Sequence, residues 1–167
     1  ATRAPRELEI SLTLRRLGVA TPLIVAYATY PAGPMFRRAD VVSREVPRSR
    51  DLAAALAERS RGESKRSLLE ATGKLLASMS VAGARHPDLN IKNVLIADNN
   101  YRGVEAFVLD VDRVWLDRAG ADVVLAANLR RFCRSALKWR RLQGLPIEEA
   151  DLLAIESSAR ELITLAQ

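Results

Sequence analysis

Hydrophobic residues near the start of the chain recur at helical spacing. Leu8, Leu12 and Leu17 lie four and five positions apart, and Gly18 follows as a candidate C-cap, so this segment predicts a helix. The segment 67–83 shows a helical period over a longer stretch and also ends at a glycine. Its predicted core face consists of Leu68, Leu69, Thr72, Leu75, Leu76 and Met79.

Four segments have the pattern of strands. A short buried strand is predicted at 23–28 and a second strand at 40–46, joined through a proline-rich turn as a hairpin. Two further strands are predicted at 93–97 and 105–114. The turn-rich segment 98–103 separates them, so they also form a predicted hairpin.

The remaining segments are helical or polar. The segment 49–59 predicts a short helix capped by Ser49 or Asp51, and the polar segment 59–67 predicts a loop. From about Leu125 the pattern is helical to the end, with a break at "QGLP" before a last helix. Helices and strands are segregated along the chain, which predicts an α+β fold.

Composition and charge narrow the class of protein but not its partner. The 167 residues suffice for a domain with a buried core, and the net charge of +6 indicates an anionic partner: nucleic acid, a membrane surface or a phosphorylated substrate. A single cysteine, Cys133, excludes an internal disulfide and suits a reducing compartment. Prolines and a glycine break the uncharged run from Gly18 to Phe36, so no membrane span is expected there.

The segment "HPDLNIKN" contains the chain's one histidine and carries the clearest chemistry. His86, Asp88 and Asn93 have the spacing of a phosphotransferase loop, in which a carboxylate faces the attacking hydroxyl and an amide oxygen faces Mg²⁺. Asp110 and Asp112 follow on the predicted strand 105–114, where alternate residues point the same way. The alternative is a hairpin entry whose Asp and Asn bind only nearby backbone groups.

Three motifs together resemble a known family. "HPDLNIKNVLI", "FVLDVDRVWL" and "NLRRFCRSALKW" are similar to segments of the 3-deoxy-D-manno-octulosonic acid (Kdo) kinases and the related lipopolysaccharide core heptose kinases. The start, "RELEISLTLRRLGVATP", looks like their ion-pair helix, and "ADVVSREVP" looks like their strand entering the hinge. The most specific elements are DLN-x-x-N and D-x-DR.

The resemblance implies a protein-kinase-like fold made mostly of its helical C-lobe. Residues 1–46 would be a remnant of the N-lobe, with the ion-pair helix and a strand pair, and residues 47–167 would be the C-lobe with the catalytic loop and the metal-binding hairpin. No G-x-G occurs and no lysine precedes Glu7, so the glycine-rich strands and the phosphate-binding lysine are absent from this chain. Because the chain begins without methionine, we expect a cropped N-terminus; the alternative is a natural remnant without transfer activity.

The resemblance also implies a role for each residue of the loop. Asp88 would be the catalytic base or the carboxylate that positions the hydroxyl, and His86 would brace the loop. Asn90, the third residue of the implied catalytic set, stands where protein kinases have a lysine. It agrees with the sugar kinases and argues against a protein substrate. Asn93 and Asp110 would hold Mg²⁺ and bind the phosphates of ATP.

Three further residues are implied in cofactor binding and one in metal binding. Glu7 matches the ion-pair glutamate, and Glu45 and Val46 lie where the hinge strand would contact the nucleotide. Asp112 is either a second metal ligand or an acceptor that fixes Arg113.

A basic stripe follows at helical spacing near residue 130. Arg131, Arg134 and Lys138 match the family's segment, and no acidic residue interrupts the run. This surface would contact the acceptor's anionic groups or an anionic lipid surface; the alternative is a solvated face of a core helix. Trp115 and Trp139 are expected to pack rather than to stack on a ligand.

The predicted function is that of an ATP- and Mg²⁺-dependent kinase of a sugar hydroxyl, on Kdo or on heptose, in the lipopolysaccharide inner core or Kdo–lipid A. The expected location is cytoplasmic and peripheral at the anionic inner-membrane surface, without nucleic-acid binding. A non-catalytic kinase-like remnant that binds anionic lipid or nucleic acid through the basic helix is the alternative from another class. A kinase with another small-molecule or protein acceptor is a third.

Overall fold

A helix opens the described chain and packs against a two-stranded antiparallel sheet. Helix α1 (Ala4–Arg16) ends just before Gly18, whose φ is 80°, as the sequence predicts. Strand β1 (Ile24–Pro31) pairs antiparallel with β2 (Arg37–Ser43), which confirms the first predicted hairpin. A computed structural model describes residues 2–59, 62–99 and 103–166.

This hairpin is far more exposed than its apolar sequence predicts. Only Ile24 of β1 is buried, and Val25 and Tyr27 are exposed. The expectation of a buried strand at 23–28 is therefore wrong. Among the described residues the hairpin packs mainly against α1, so there is no second layer to bury its remaining apolar side chains.

A second, three-stranded sheet follows the hairpin. Its strand order is β3 (Ser49–Asp51), β5 (Val94–Asn99) and β6 (Gly103–Val108), with both pairs antiparallel. The β5–β6 pair confirms the second predicted hairpin, although the tip of its turn lies outside the described residues. Helix α2 (Leu52–Glu58) follows β3 directly, and the Asp51 carboxylate accepts a backbone hydrogen bond at its start, which makes Asp51 rather than Ser49 the cap.

Helix α3 (Gly62–Val81) is longer than the sequence predicts. A loop is expected up to residue 67, yet the helix begins at Gly62; residues 60 and 61 lie outside the described ranges. Lys65 Nζ in the added turn lies 2.6 Å from Asp151 Oδ2 of a distant helix. This long-range ion pair helps to hold a polar segment helical, and a local pattern does not reveal it.

Two long helices complete the body. Helix α4 (Ala121–Gln143) begins a turn earlier than predicted and ends at Gly144 with φ 64°. Helix α5 (Glu149–Leu165) packs closely along α3, because a Cβ added to Gly73 would lie only 2.8 Å from Ser158 Oγ. Every predicted core position of α3 is buried, so this helix lies at the centre of the hydrophobic core.

The segment 44–48 connects the exposed hairpin to the body. A boundary at residue 46 agrees with this arrangement, but the division into 1–46 and 47–167 stays a prediction. None of the helices in the described ranges has the length and apolar character needed to cross a membrane.

Candidate active site

The predicted catalytic loop begins at a tight junction between two chain segments. After α3, Gly83 has φ 69° and its carbonyl accepts a hydrogen bond from the Asp117 N–H at 2.7 Å. Strand β4 (Ala84–Arg85) then pairs antiparallel with β7 (Trp115–Leu116). A Cβ on Gly83 would lie 2.4 Å from the Asp117 carbonyl oxygen, so glycine is required at this position. The junction fixes where the 86–93 loop starts.

His86 is buried and connects the 86–93 loop to the end of β6. Its Nδ1 accepts a hydrogen bond from the Asp88 N–H at 3.2 Å, and its Nε2 lies 3.1 Å from the Leu109 carbonyl oxygen. Because a carbonyl can only accept, Nε2 carries the ring proton. Burial lowers the pKa of His86, while the Leu109 carbonyl and nearby carboxylates act in the opposite direction. The ring is therefore neutral at pH 7 and braces the loop without adding charge.

Helix α4 holds the same loop from the other side. Asn128 is fully buried; its Oδ1 accepts a hydrogen bond from the His86 N–H at 3.0 Å, and its Nδ2 donates to the Ala84 carbonyl at 2.9 Å. Ser135 Oγ, two turns further, accepts from the Ile91 N–H at 3.2 Å. The family-like segment on α4 thus supplies side chains that satisfy the loop's backbone.

Two asparagines shape the second half of the loop. Asn90 caps a 3₁₀ turn (Ile91–Asn93), because its Oδ1 accepts from the N–H groups of Lys92 and Asn93 at 2.9 and 3.2 Å. The Nδ2 atoms of Asn90 and Asn93 both donate to the Asp88 carbonyl, at 3.1 and 3.2 Å. Both polar atoms of the Asn90 amide are therefore hydrogen-bonded within the loop. No hydrogen bond to Asn93 Oδ1 is found in the described part of the chain, which leaves that oxygen available as a ligand.

The Asp88 carboxylate is oriented by two arginines. Arg113 Nη1 donates to Oδ2 at 2.6 Å, and Arg131 Nη2 donates to Oδ1 at 2.8 Å. Arg113 follows the metal-strand motif and Arg131 lies on α4, so Asp88 is held from both sides. The expectation that Asp112 is an acceptor for Arg113 is not met, because Arg113 pairs with Asp88 and Asp112 pairs with Arg3 at 3.3 Å.

Asp110 lies in a tight turn rather than on the predicted strand. β6 ends at Val108, and Asp110 has φ 54° and ψ 47° before a 3₁₀ turn (Val111–Arg113). Left-handed backbone is tolerated by Asp and Asn better than by most residues, but sequence alternation does not predict it. The Leu109 N–H donates to the Asn93 carbonyl at 2.8 Å, so Leu109 connects the turn to the 86–93 loop through both of its backbone groups.

A cleft of about 450 Å³ collects the polar residues that the sequence singled out. The 86–93 loop contributes His86, Asp88 and Asn93, and the turn after β6 contributes Asp110 and Asp112. Helix α1 adds the predicted ion-pair glutamate. The side chains therefore converge from three separate parts of the chain.

The cleft concentrates negative charge. Burial raises the pKa of Glu7, and the carboxylates of Asp112 and Asp110 raise it further. Arg3 offsets only part of this charge through its exposed pair with Asp112. Among the described residues no hydrogen bond or ion pair to the Asp110 carboxylate is found. A cation placed among these carboxylates would relieve their repulsion.

The donor atoms fit Mg²⁺ bound together with a nucleotide. Asn93 Oδ1 and the Asp110 carboxylate offer oxygen atoms, which are the type of ligand that Mg²⁺ prefers. Asp112 lines the same cleft. Within the described ranges no cluster of three or more His, Cys, Asp or Glu side chains forms a complete metal cage. Mg²⁺ does not need one, because it commonly takes one or two carboxylates and completes its shell with phosphates and water.

Some predicted residues lie away from the cleft, and the sequence missed others that line it. Glu45 and Val46 follow the end of β2 and are not part of the cleft lining, whereas Ala39 and Val41 of β2 are. Their alternating positions on a strand were the signal that could have identified them. Lys138 is exposed on α4 and does not line the cleft.

The sequence matches known proteins over most of its length. The model of the lipopolysaccharide kinase (Kdo/WaaP) family matches residues 1–158. A 3-deoxy-D-manno-octulosonic acid kinase of Vibrio parahaemolyticus is 33% identical over 137 residues, which cover 82% of this chain and 53% of the relative. One of Xanthomonas oryzae pv. oryzae is 35% identical over 129 residues, which cover 77% of this chain and 47% of the relative. The chain thus spans about half the length of these relatives.

Solved structures show the same fold. The kinase WaaP, in a structure with acyl carrier protein, matches with a TM-score of 0.67 and 24% identity over 96% of this chain and 69% of that chain. The bifunctional kinase-methyltransferase WbdD matches with a TM-score of 0.50 and 14% identity over 97% of this chain and 36% of that chain. The fold is therefore α+β and kinase-like, as predicted. The chain belongs to the lipopolysaccharide kinase (Kdo/WaaP) family, which confirms the resemblance.

Proposed function

We propose that this chain belongs to an ATP-dependent kinase that phosphorylates a sugar hydroxyl of the lipopolysaccharide inner core. Kdo attached to lipid A is the proposed acceptor, and heptose is the alternative within the same class. The observation that carries the proposal is the convergence of Asp88, Asn93 and Asp110 on one cleft of a kinase-like fold. Family membership and the named Kdo kinases support the choice of acceptor.

Asp88 would orient the attacking hydroxyl. With Arg113 and Arg131 fixing its two oxygens, the carboxylate accepts a hydrogen bond from the sugar hydroxyl and takes its proton as the new oxygen–phosphorus bond forms. The bond from the γ-phosphorus to the bridging oxygen breaks, and ADP leaves with that electron pair. Because the arginines fix Asp88 beforehand, little reorganisation is needed when the hydroxyl arrives.

Asn93 and Asp110 would hold the metal that accompanies the nucleotide. Mg²⁺ supplies charge neutralisation for the phosphates. Asn90 and His86 act as positioning residues, because their hydrogen bonds go to the loop itself. Glu7 completes the acidic wall of the cleft. Glu45, Val46 and Lys138 have no contact in the cleft that would support a role in nucleotide or acceptor binding there.

We also propose a cytoplasmic enzyme that works peripherally at the anionic inner-membrane surface. The support is the exposed row of basic side chains on α4, Arg130, Arg134, Lys138 and Arg141, which suits an acceptor embedded in an anionic membrane. Nothing in the described residues resembles a nucleic-acid-binding module.

The test is phosphate transfer by the full-length protein from ATP to Kdo–lipid A. We expect Asp88→Asn to lower kcat by roughly a thousandfold or more while the affinity for Mg-ATP changes little, because the amide cannot accept the hydroxyl proton. Asp122→Asn, at an exposed carboxylate at the start of α4, is the matched control and should behave like the wild type.

Three results would contradict parts of the proposal. Equal transfer by Asp88→Asn and the wild type would remove the role of Asp88. Transfer to a heptose acceptor but not to Kdo would move the acceptor within the class. Absence of both transfer and Mg-ATP binding in the wild type would refute the kinase function.

A further inference from the structure

A second pocket, of about 260 Å³, adjoins the 86–93 loop and is strongly basic. Four arginines line it: Arg85 from β4 and Arg130, Arg131 and Arg134 from α4; no acidic side chain is among its lining residues. His86 contributes to this pocket and to the cleft, so the two are neighbours. Such a concentration of guanidinium groups beside a candidate active site favours an anionic ligand.

Two of these arginines have no acidic partner within the described residues. Arg85 is paired with Asp117 at 3.0 Å and Arg131 with Asp88 at 2.8 Å, whereas no ion pair of Arg130 or Arg134 is found. The Nε atom of Arg131 is also buried, and it has no hydrogen-bond partner among the described residues. Buried donors in this state are rare unless a ligand or water completes them.

Trp115 also lines this pocket and is not part of the hydrophobic core. Its side chain is 39% exposed, and the Arg85 guanidinium lies 5.6 Å from its ring centroid. A pocket that is lined by an indole together with Arg130 and Arg134 offers an apolar surface for a sugar ring and charged donors for its substituent.

Arg131 connects this pocket to the proposed chemistry. One of its guanidinium nitrogens holds Asp88, and the same side chain lines the pocket. Arg131 thus places the pocket directly beside Asp88, the carboxylate proposed to meet the acceptor hydroxyl.

We propose that this pocket binds the acidic group of the acceptor saccharide, with Trp115 packed against its ring and Arg130 and Arg134 as its charge partners. This inference rests on the proposed kinase function and adds the residues that select an anionic acceptor. The shared chemistry is a carboxylate or phosphate on the saccharide. Kdo carries its own carboxylate, and lipid A carries phosphates.

Acceptor kinetics of the full-length protein test the pocket. We expect Arg130→Gln and Arg134→Gln each to raise the acceptor KM about tenfold, the loss of one charge-assisted hydrogen bond, with KM for ATP unchanged. Arg140→Gln removes an exposed charge from the same helix outside the pocket and should match the wild type. An acceptor KM within about twofold of the wild type in both pocket variants would overturn the inference.

Direct binding separates this inference from the kinase proposal. We expect free Kdo to change the tryptophan fluorescence of the full-length protein saturably, with Trp115→Phe and Arg134→Gln each abolishing the change. That result supports the pocket even if the wild type transfers no phosphate. Transfer without any change of tryptophan fluorescence by Kdo or by inorganic phosphate would refute the pocket and leave the kinase function intact.

Two comparisons, of Kdo with its methyl ester and of lipid A with and without its phosphates, identify the anion. If the Kdo methyl ester fails to bind while Kdo binds, the carboxylate is the ligand. If the acid and the ester bind equally, and removal of the lipid A phosphates raises the acceptor KM, the phosphate is the ligand. Either result supports the pocket, whereas indifference to both changes contradicts it.

Discussion

The 86–93 loop and the 109–113 turn line the same cleft but are held in opposite ways. Backbone N–H groups of the loop donate hydrogen bonds to the side chains of His86, Asn90 and, from α4, Asn128. Two arginines orient the Asp88 carboxylate. In the turn, Asp110 has left-handed backbone, and no hydrogen bond or ion pair to its carboxylate is found among the described residues. The loop is thus completed by the protein, whereas the Asp110 carboxylate of the turn has no partner among the described residues.

This difference separates two kinds of functional residue. A carboxylate that must meet a hydroxyl in one orientation gains from being fixed beforehand. A carboxylate that binds a metal must stay free of protein partners until the metal arrives. Substitutions in the turn should therefore affect ligand binding more than folding, and substitutions in the support of the loop should affect folding first.

Among substitutions in the turn, the largest expected effect is that of Asp110→Asn on catalysis. Loss of the charged metal ligand should lower kcat/KM about a thousandfold, equivalent to roughly 4 kcal/mol, and should weaken Mg-ATP binding. The melting temperature without Mg²⁺ should not fall, because Asn also tolerates left-handed backbone and the repulsion toward Glu7 and Asp112 decreases. Kinetics and a thermal melt of the same protein measure both.

Asp112→Asn provides the comparison within the turn. Its carboxylate is already paired with Arg3, so we expect a loss of activity at least tenfold smaller than that of Asp110→Asn. Equal losses would mean that both carboxylates bind the metal. A marked drop in the melting temperature of Asp110→Asn would contradict the contrast between loop and turn.

The sequence could predict that the side chains of the loop lie together, because their contacts are local. His86, Asp88, Asn90 and Asn93 lie within one short segment, and their hydrogen bonds mostly join residues two to five positions apart. Spacing alone therefore places these side chains together. The fold class followed from the segregation of helices and strands along the chain and from the family-like motifs.

The rest of the site depends on long-range contacts that a local pattern does not contain. Asn128 binds the loop across 42 positions and Arg131 binds Asp88 across 43. Trp115 reaches its pocket through β7, a two-residue strand whose pairing with β4 a local pattern does not show. The prediction of a strand through Asp110 is wrong, because the alternating pattern continues in the sequence past Val108, whereas the backbone turns there.

The next effect in size concerns the junction that starts the loop. Gly83→Ala should lower the free energy of unfolding by about 3 kcal/mol, because its Cβ meets the Asp117 carbonyl and its φ is positive. The backbone must move, and with it the β4–β7 pair. Chemical denaturation monitored by circular dichroism measures the change.

Gly18→Ala isolates the cost of the backbone conformation. Gly18 has φ 80°, but a Cβ there would meet nothing within 4 Å, so we expect a loss of only about 1 kcal/mol. If both variants lose the same amount, the contact with Asp117 contributes nothing and the junction is not tight.

A smaller loss of stability than that of Gly83→Ala is expected for Asn128→Ala, which removes the hydrogen bonds from α4 to the start of the loop and leaves Asp88 and Asp110 unchanged. The His86 N–H and the Ala84 carbonyl would both lose a buried partner, at a cost of about 2 kcal/mol in the free energy of unfolding. We expect kcat to fall about tenfold and KM for ATP to stay near the wild-type value, because the loop carrying Asp88 loosens while Asp110 is untouched.

Ser135→Ala, which removes one longer hydrogen bond to the same loop, is the matched control and should lose less than about 1 kcal/mol. Loss of Mg-ATP affinity in Asn128→Ala without loss of stability would reverse the assignment, because Asn128 would then support the metal side of the cleft.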